Sequence, residues 1–140
     1  MGNPPSQPEC WPRLLAGPDD AGLNGEELSA LLSVLQPVAG KQDCFFRFSE
    51  ISFIGTDKPI QFCEPLDDLS IFLATGRYQF TPEYWWPADH SWCVCSDYDL
   101  TFTIVAGSKE LISGVLNDAT LEALQITTRT RIDSYAPMPQ

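Results

Sequence analysis

The single histidine of the chain lies close in sequence to two of its five cysteines, a pattern that can bind a metal ion. His90, Cys93 and Cys95 fall within six residues, and Cys63 is the remaining candidate ligand. The match to a structural zinc site is weak, because such sites favour two residues between paired cysteines and here there is one. In a strand, Cys93 and Cys95 point to one face, as cysteines of a hydrophobic core also do. We predict that they face the core and that no metal is bound.

Nucleophilic catalysis has few candidate residues in this sequence. A Cys–His pair would have to use His90, and no neighbouring residue supports one. No serine lies in a Gly-x-Ser-x-Gly motif, and neither glycine-rich phosphate loop is present. We therefore predict no catalytic residue, no enzymatic activity and no cofactor.

A second group of residues that could take part in chemistry consists of three aspartates, Asp89, Asp97 and Asp99. Paired carboxylates catalyse hydrolysis when they face each other several ångströms apart across a cleft. Close together in one turn, Asp97 and Asp99 would more often be solvated, with one of the two closing an Asx-turn. An isolated Asp-x-Asp also lacks the other ligands of an EF-hand calcium loop. If these aspartates have a functional role, we predict that they form a negatively charged patch that contacts a partner.

Three of the four tryptophans fall in an eight-residue window that begins next to a tyrosine. The cluster consists of Tyr84, Trp85, Trp86 and Trp92, in a segment that we predict to be a loop. Such side chains are enriched at interface hot spots and also stack on sugars, and an apolar cluster beside a proline equally closes the end of a core. Because Trp85 and Trp86 are adjacent, they cannot both point inward from an extended chain, so at least one is expected at the surface.

Charge is the strongest feature of the composition. Nineteen acidic and eight basic residues give a net charge of −11, which keeps a protein soluble, repels nucleic acid and attracts basic proteins at low salt. No apolar run reaches the roughly 20 residues of a membrane span, so we expect no membrane partner. The odd number of cysteines, and a proline-rich start without a signal-peptide pattern, predict reduced thiols and a cytoplasmic location.

The elements that must position these residues fit a single domain in a chain of 140 residues. We predict a flexible proline-rich arm at 1–18, the domain at 19–134 and a loose tail at 135–140. The order of elements is helix, strands, short helix, strands, helix and strand, with spacings typical of hairpins. The predicted fold is α+β, an antiparallel sheet with two main helices packed on one face.

Two helices have clear boundaries in the sequence. The first begins at Asn24, which forms a capping box with Glu27, and it is predicted to end at Pro37 and Gly40. The second begins after the capping residue Ser108. Their apolar faces are predicted to be Leu28, Leu31, Leu32 and Leu35 in the first helix and Leu111, Ile112, Val115 and Leu116 in the second.

Aromatic and alternating segments predict strands at 44–48, 51–54, 60–63, 91–95, 100–105 and 125–132. Arg129 and Arg131 share one face of the last strand, which is typical of an edge position. A short helix is predicted over 66–73, closed by a left-handed Gly76, and one more helical turn over 119–124.

The region from 80 to 125, under half of the chain, resembles a pattern found in small uncharacterised bacterial proteins. The matching residues are Trp85-Trp86-Pro87, Asp89, Ser91-Trp92, Asp97 and Asp99, Thr101 or Thr103, Gly107, Ser108 and Leu111. Proteins of this kind resemble the immunity proteins of polymorphic and contact-dependent toxin systems, which are small, acidic, cytoplasmic and catalytically silent. The resemblance implies a partner-binding function and assigns no role to any single residue.

The function predicted from the sequence is that of an immunity-type protein, which binds and neutralises a bacterial toxin domain. Carboxylates would meet a basic toxin face and a tryptophan would anchor it. The predicted contact residues are Trp85, Trp86, Asp89, Asp97 and Asp99. Two alternatives stay open: a small-ligand or carbohydrate-binding module built on the tryptophan cluster, and a hydrolase that uses carboxylates or a Cys–His pair.

Overall fold

The computed structural model describes residues 22–49, 58–78, 80–97 and 102–131, which hold three helices and five strands. In chain order these are α1 (Gly25–Ala39), β1 (Asp43–Phe48), β2 (Ile60–Pro65), α2 (Asp68–Ala74), β3 (Tyr84–Pro87), β4 (Cys93–Cys95), β5 (Ile104–Ala106) and α3 (Lys109–Asn117). The predicted arm at 1–18, the strand at 51–54 and the tail at 135–140 lie outside the described residues.

The strands form one antiparallel sheet in the order β2-β1-β3-β4-β5, which confirms the predicted α+β fold. Phe46 of β1 lies opposite Phe62 on one side and Trp85 on the other. Alternate residues of β1 are buried, starting with Cys44, while Phe45 and its neighbours at every second position point to the other face. The sheet therefore has a core face and a second face, here named the outer face.

A single hydrophobic core covers the core face of the sheet, so the described residues form one domain. The helices contribute Leu31, Leu35, Leu69, Leu111 and Val115 to the same cluster as the strand residues. Helix α1 packs against α3, and α2 packs against β2. The placement of both main helices on one face of the sheet stays a prediction.

The predicted capping box at the start of α1 is confirmed. The Asn24 side chain accepts a hydrogen bond from the Glu27 backbone N–H at 2.9 Å, and the Glu27 carboxylate accepts one from the Asn24 N–H at 3.0 Å. The prediction that Pro37 helps to end the helix is wrong, since α1 continues to Ala39. Proline removes only one donor in this last turn, and Gly40, at φ +61°, ends the helix by donating to the Gln36 carbonyl at 3.1 Å.

The other two helices follow the sequence with small shifts. Helix α2 begins at Asp68, two residues later than predicted, and Gly76 has the expected positive φ of +72°. The Ser108 hydroxyl caps α3 by accepting from the Leu111 N–H at 3.2 Å. Leu111 and Val115 are buried as predicted, but Leu116 is 38% exposed, so its assignment to the buried face is wrong.

The elements predicted after α3 are wrong, because residues 119–131 form neither a helical turn nor a strand. Polar side chains bond the local backbone instead, which competes with regular structure. The Asp118 carboxylate accepts from the Thr120 N–H at 2.8 Å, and the Thr130 hydroxyl accepts from the Thr127 N–H at 3.1 Å. Arg129 therefore lies in a turn rather than on an edge strand.

Replacing Asn24 with Ala should lower the free energy of unfolding by about 1 kcal/mol, because the Glu27 N–H loses its acceptor. Asn24→Asp keeps an oxygen at that position and is the matched control. Urea denaturation of both variants measures the difference, and an equal loss in both would show that the side-chain acceptor is not what stabilises the start of α1.

Candidate partner-binding surface

The aromatic segment is a strand rather than the predicted loop. Tyr84–Pro87 forms β3, which pairs with β1 on one side and with β4 on the other. The alternation of a strand sends the ring of Trp85 to the core face and those of Tyr84 and Trp86 to the outer face. Trp85 is 0% exposed and Tyr84 is 41% exposed, as expected for neighbours that cannot both point inward.

Two tryptophans of the cluster belong to the core. Trp92 is 3% exposed and meets Trp85 edge to face, with ring centroids 5.9 Å apart and planes at 89°. Within the part of the chain that the structure describes, neither indole N–H has an acceptor. The assignment of Trp85 to a partner interface is therefore wrong, because pairing on both sides of β3 and packing against Phe46 leave it no surface.

A stacked pair of aromatic rings lies on the outer face, outside the core cluster. Phe45 and Trp86 lie opposite each other in the register of β1 and β3, and their rings stack at 5.5 Å with planes 14° apart. Both side chains are half-buried, and neither is part of the core cluster. Tyr84, two residues before Trp86, continues the same face. Phe45 was missed in the sequence as a surface residue because the alternation of β1 does not say which half is buried.

The prediction that Cys93 and Cys95 face the core is wrong. Val94 is the buried residue of β4, and the two cysteines share the outer face with Tyr84. Burial raises the pKa of both thiols, and a hydrogen bond between Tyr84 and Cys95 raises the pKa of Tyr84. Protonated thiols are weak nucleophiles, so these cysteines lack the activation that covalent catalysis needs.

The four candidate metal ligands do not converge. Cys63 lies on β2, three strand spacings or about 14 Å from β4 in the order of the sheet. His90 is exposed at φ +58°. Across residues 22–49, 58–78, 80–97 and 102–131, no group of three or more His, Cys, Asp or Glu side chains is placed to hold a metal ion.

Carboxylates lie at one end of the outer aromatic pair, beyond the last residues of β3. The Asp89 carboxylate accepts a hydrogen bond from the Ser91 N–H at 3.0 Å, and its hydrogen bonds with Ser91 lower the pKa of Asp89. Asp43 begins β1 at this same end, where its carbonyl accepts from the Ala88 N–H at 2.9 Å. Burial raises the pKa of Cys44 to about 11, and the charges of Asp43 and Asp89 add to the shift.

A second pair of carboxylates lies at the opposite end of β3. Glu83 precedes Tyr84, and Asp97 follows β4. Both raise the pKa of Tyr84 and of Cys95 through their negative charge, which places them close to that hydrogen-bonded pair. Asp99 lies outside the described residues. The sequence reasoning missed Asp43 and Glu83, although each stands immediately before an aromatic run.

Comparison with protein-family models, with curated proteins and with solved structures finds no match to this chain. Among the residues that the structure describes, no helix has both the length and the apolar character needed to cross a bilayer. The geometry of the outer face is therefore the basis for assigning a function.

Replacing Trp85 with Ala should lower the free energy of unfolding by about 3–5 kcal/mol, as expected when a buried aromatic side chain leaves a cavity. Replacing the adjacent Trp86 with Ala should lower the free energy of unfolding by only about 1 kcal/mol, mainly because the stacking of Trp86 on Phe45 is lost. Urea denaturation of the two variants compares them directly. A larger loss for Trp86 would contradict the assignment of the two faces.

Proposed function

We propose that this chain is an immunity-type protein that binds a basic toxin domain on the outer face of its sheet. The observation that carries the proposal is the stacked pair of Phe45 and Trp86 on the face away from the core, with carboxylates at both ends of β3. The proposal includes the cytoplasmic location predicted from the sequence, which is in keeping with the free thiols of the described cysteines.

Trp86 is the anchor in this proposal. Tryptophan and tyrosine offer large, rigid contact areas and are enriched among residues that dominate binding energy. Stacking on Phe45 restrains the Trp86 ring before a partner arrives, which reduces the entropy lost on binding. Tyr84, on the same face and 41% exposed, extends the apolar area toward the second pair of carboxylates.

The charges select the partner. Asp43 and Asp89 lie at one end of the aromatic pair, and Glu83 and Asp97 lie near Tyr84 at the other. With a net charge of −11, the chain attracts a positively charged surface at long range and repels nucleic acid. These four carboxylates outnumber the cation Arg47, which lies opposite Tyr84 on the same face. The surface therefore favours a basic protein that presents an apolar contact between its cations.

The raised pKa values of three cysteine thiols and the lack of a hydrogen bond from the His90 imidazole to the described residues also favour a binding role over catalysis. The pKa values of Cys44, Cys93 and Cys95 are raised by burial, the opposite of what a nucleophilic thiol requires. In the described part of the chain, the exposed His90 imidazole forms no hydrogen bond, so no Cys–His pair is assembled there.

Trp86→Ala should abolish protection of a host that expresses a toxin domain encoded beside this chain, and should weaken binding to that domain by about thirtyfold. The loss follows from removing the anchor while the core stays intact. Bacterial growth and calorimetric titration are the measurements. Leu124→Ala, which removes a 78% exposed side chain from the loop after α3, is the matched control and should protect normally.

Equal growth with and without the unmodified protein would refute the proposal for that toxin. Full protection by the Trp86→Ala variant would instead show that the toxin does not bind through Trp86 on the outer face.

The double change Asp43→Asn and Asp89→Asn should slow association with the basic partner by about tenfold at low salt and leave dissociation nearly unchanged. Asparagine at position 89 keeps an oxygen for the Ser91 N–H, so the turn is preserved while the charge is lost. Stopped-flow mixing at low salt and at about 1 M salt, where the Debye length is roughly 3 Å, measures the effect. The control is Glu122→Gln, an exposed carboxylate in the loop after α3. A defect that persists at high salt would rule out electrostatic steering by these groups.

A further inference from the structure

A cleft of about 440 Å³ opens at the β2 edge of the sheet, where the end of α2 meets the chain that follows it. Its volume lies within the range of small-molecule sites in proteins. The residues that line it are Ile60, Phe62, Phe72, Thr75, Arg77 and Tyr78. None of them belongs to the outer aromatic pair, so the inference below is independent of the proposed function.

The walls of the cleft are held by ring contacts. Phe62 stacks on Phe72 at 5.1 Å with planes 23° apart, and it meets Tyr78 edge to face at 6.1 Å. Tyr78 in turn stacks at 4.2 Å on Phe48, which is fully buried in the core. Because each ring is braced by another, the apolar part of the cleft is formed before any ligand enters it.

Of the six described residues that line the cleft, Arg77 is the cation. Its side chain is exposed, and its guanidinium forms no ion pair or hydrogen bond with the described part of a chain that holds 19 acidic residues. Burial raises the pKa of Tyr78, and the nearby positive charge of Arg77 opposes part of that rise, so the guanidinium acts on this wall of the cleft electrostatically. An arginine beside an aromatic wall offers a planar fork of donors that matches a carboxylate.

The surroundings of Arg77 do not supply a competing carboxylate from α2. The acidic residues of α2, Asp67 and Asp68, lie at its first turn, about 10 Å from its last residue. The carbonyls of Phe72 and Leu73, at the negative end of that helix, already accept hydrogen bonds at 3.2 and 3.4 Å from the two residues that follow the helix. Among the described residues, the guanidinium therefore has no anionic partner that an anion from outside would have to displace.

We propose that this cleft binds a small carboxylic acid with an aromatic or branched aliphatic body. The apolar body lies among Phe62, Phe72 and Tyr78, and the carboxylate pairs with Arg77. A wholly apolar ligand would leave the guanidinium unpaired, and an anion without an apolar body would leave the rings in water. In a chain of net charge −11, only a local cation makes an anionic ligand favourable.

The test is titration of the full chain with 3-phenylpropanoate and, separately, with its neutral analogue 3-phenylpropanamide, followed by nuclear magnetic resonance. The acid should bind about tenfold more tightly than the amide and shift the signals of Phe62, Phe72 and Arg77. Arg77→Gln should bring the affinity for the acid down to that for the amide. Arg47→Gln is the matched control, because Arg47 is also exposed and has no ion pair or hydrogen bond to the described residues, but it lies on β1 and faces away from the core.

Three results would overturn the proposal. These are equal affinity of the unmodified chain for acid and amide, an equal loss in the Arg47→Gln and Arg77→Gln variants, and signal shifts confined to residues outside the cleft. The comparison of the two ligands needs no variant, so it decides the question even if a substitution perturbs folding. Binding of the acid by a chain that fails to protect against any toxin would leave this site standing and remove only the immunity role.

Discussion

The pairing of β1 with β3 is the interaction on which the rest of the molecule depends. Its register sets Phe46 opposite Trp85 on one face and Phe45 opposite Trp86 on the other. The first pair is fully buried and the second remains half-buried outside the core cluster. A slip of one residue would exchange the two sets, exposing the core rings and burying the outer ones. The same choice of register therefore decides both which rings form the core and which rings the proposed binding surface presents.

The two faces have different chemical constraints. The core face collects aromatic and aliphatic groups from every helix, and the edge-to-face contact of Trp85 with Trp92 leaves both indole N–H groups without an acceptor in the described residues. An unpaired buried donor costs on the order of 1–3 kcal/mol, which the packing of these large rings has to offset. The outer face is less dry: its charged side chains are exposed or half-buried, and its cysteine thiols are only partly buried. Negative charge lies at one end of this face, at the exposed carboxylates of Asp43 and Asp89.

The sequence predicts those features that depend on interactions between residues close together in the chain. Asn24 and Ser108 were identified as helix caps because their hydroxyl or amide oxygens satisfy backbone donors a few residues away. The assignment of faces failed where it depends on a distant partner: the spacing of Cys93 and Cys95 puts both on one side, but only pairing with β3 decides which side. The sequence does not reveal β3 as a strand, because four residues ending in proline are too short to show alternation. The cleft at Arg77 was not predictable from the sequence, since residues from β2, α2 and the segment beyond α2 meet there only after folding.

The three indole rings in the described part of the chain are divided between two environments, which gives this part of the molecule two kinds of optical reporter. Trp85 and Trp92 emit from an apolar interior that dissolved quenchers cannot enter, whereas Trp86 stands at the boundary with solvent. Iodide or acrylamide added to the folded chain should thus quench the fluorescence of Trp86 more strongly than that of Trp85 and Trp92. Occupancy of the exterior ring and disruption of the interior can then be followed as distinct spectral changes in a single cuvette, without any attached dye.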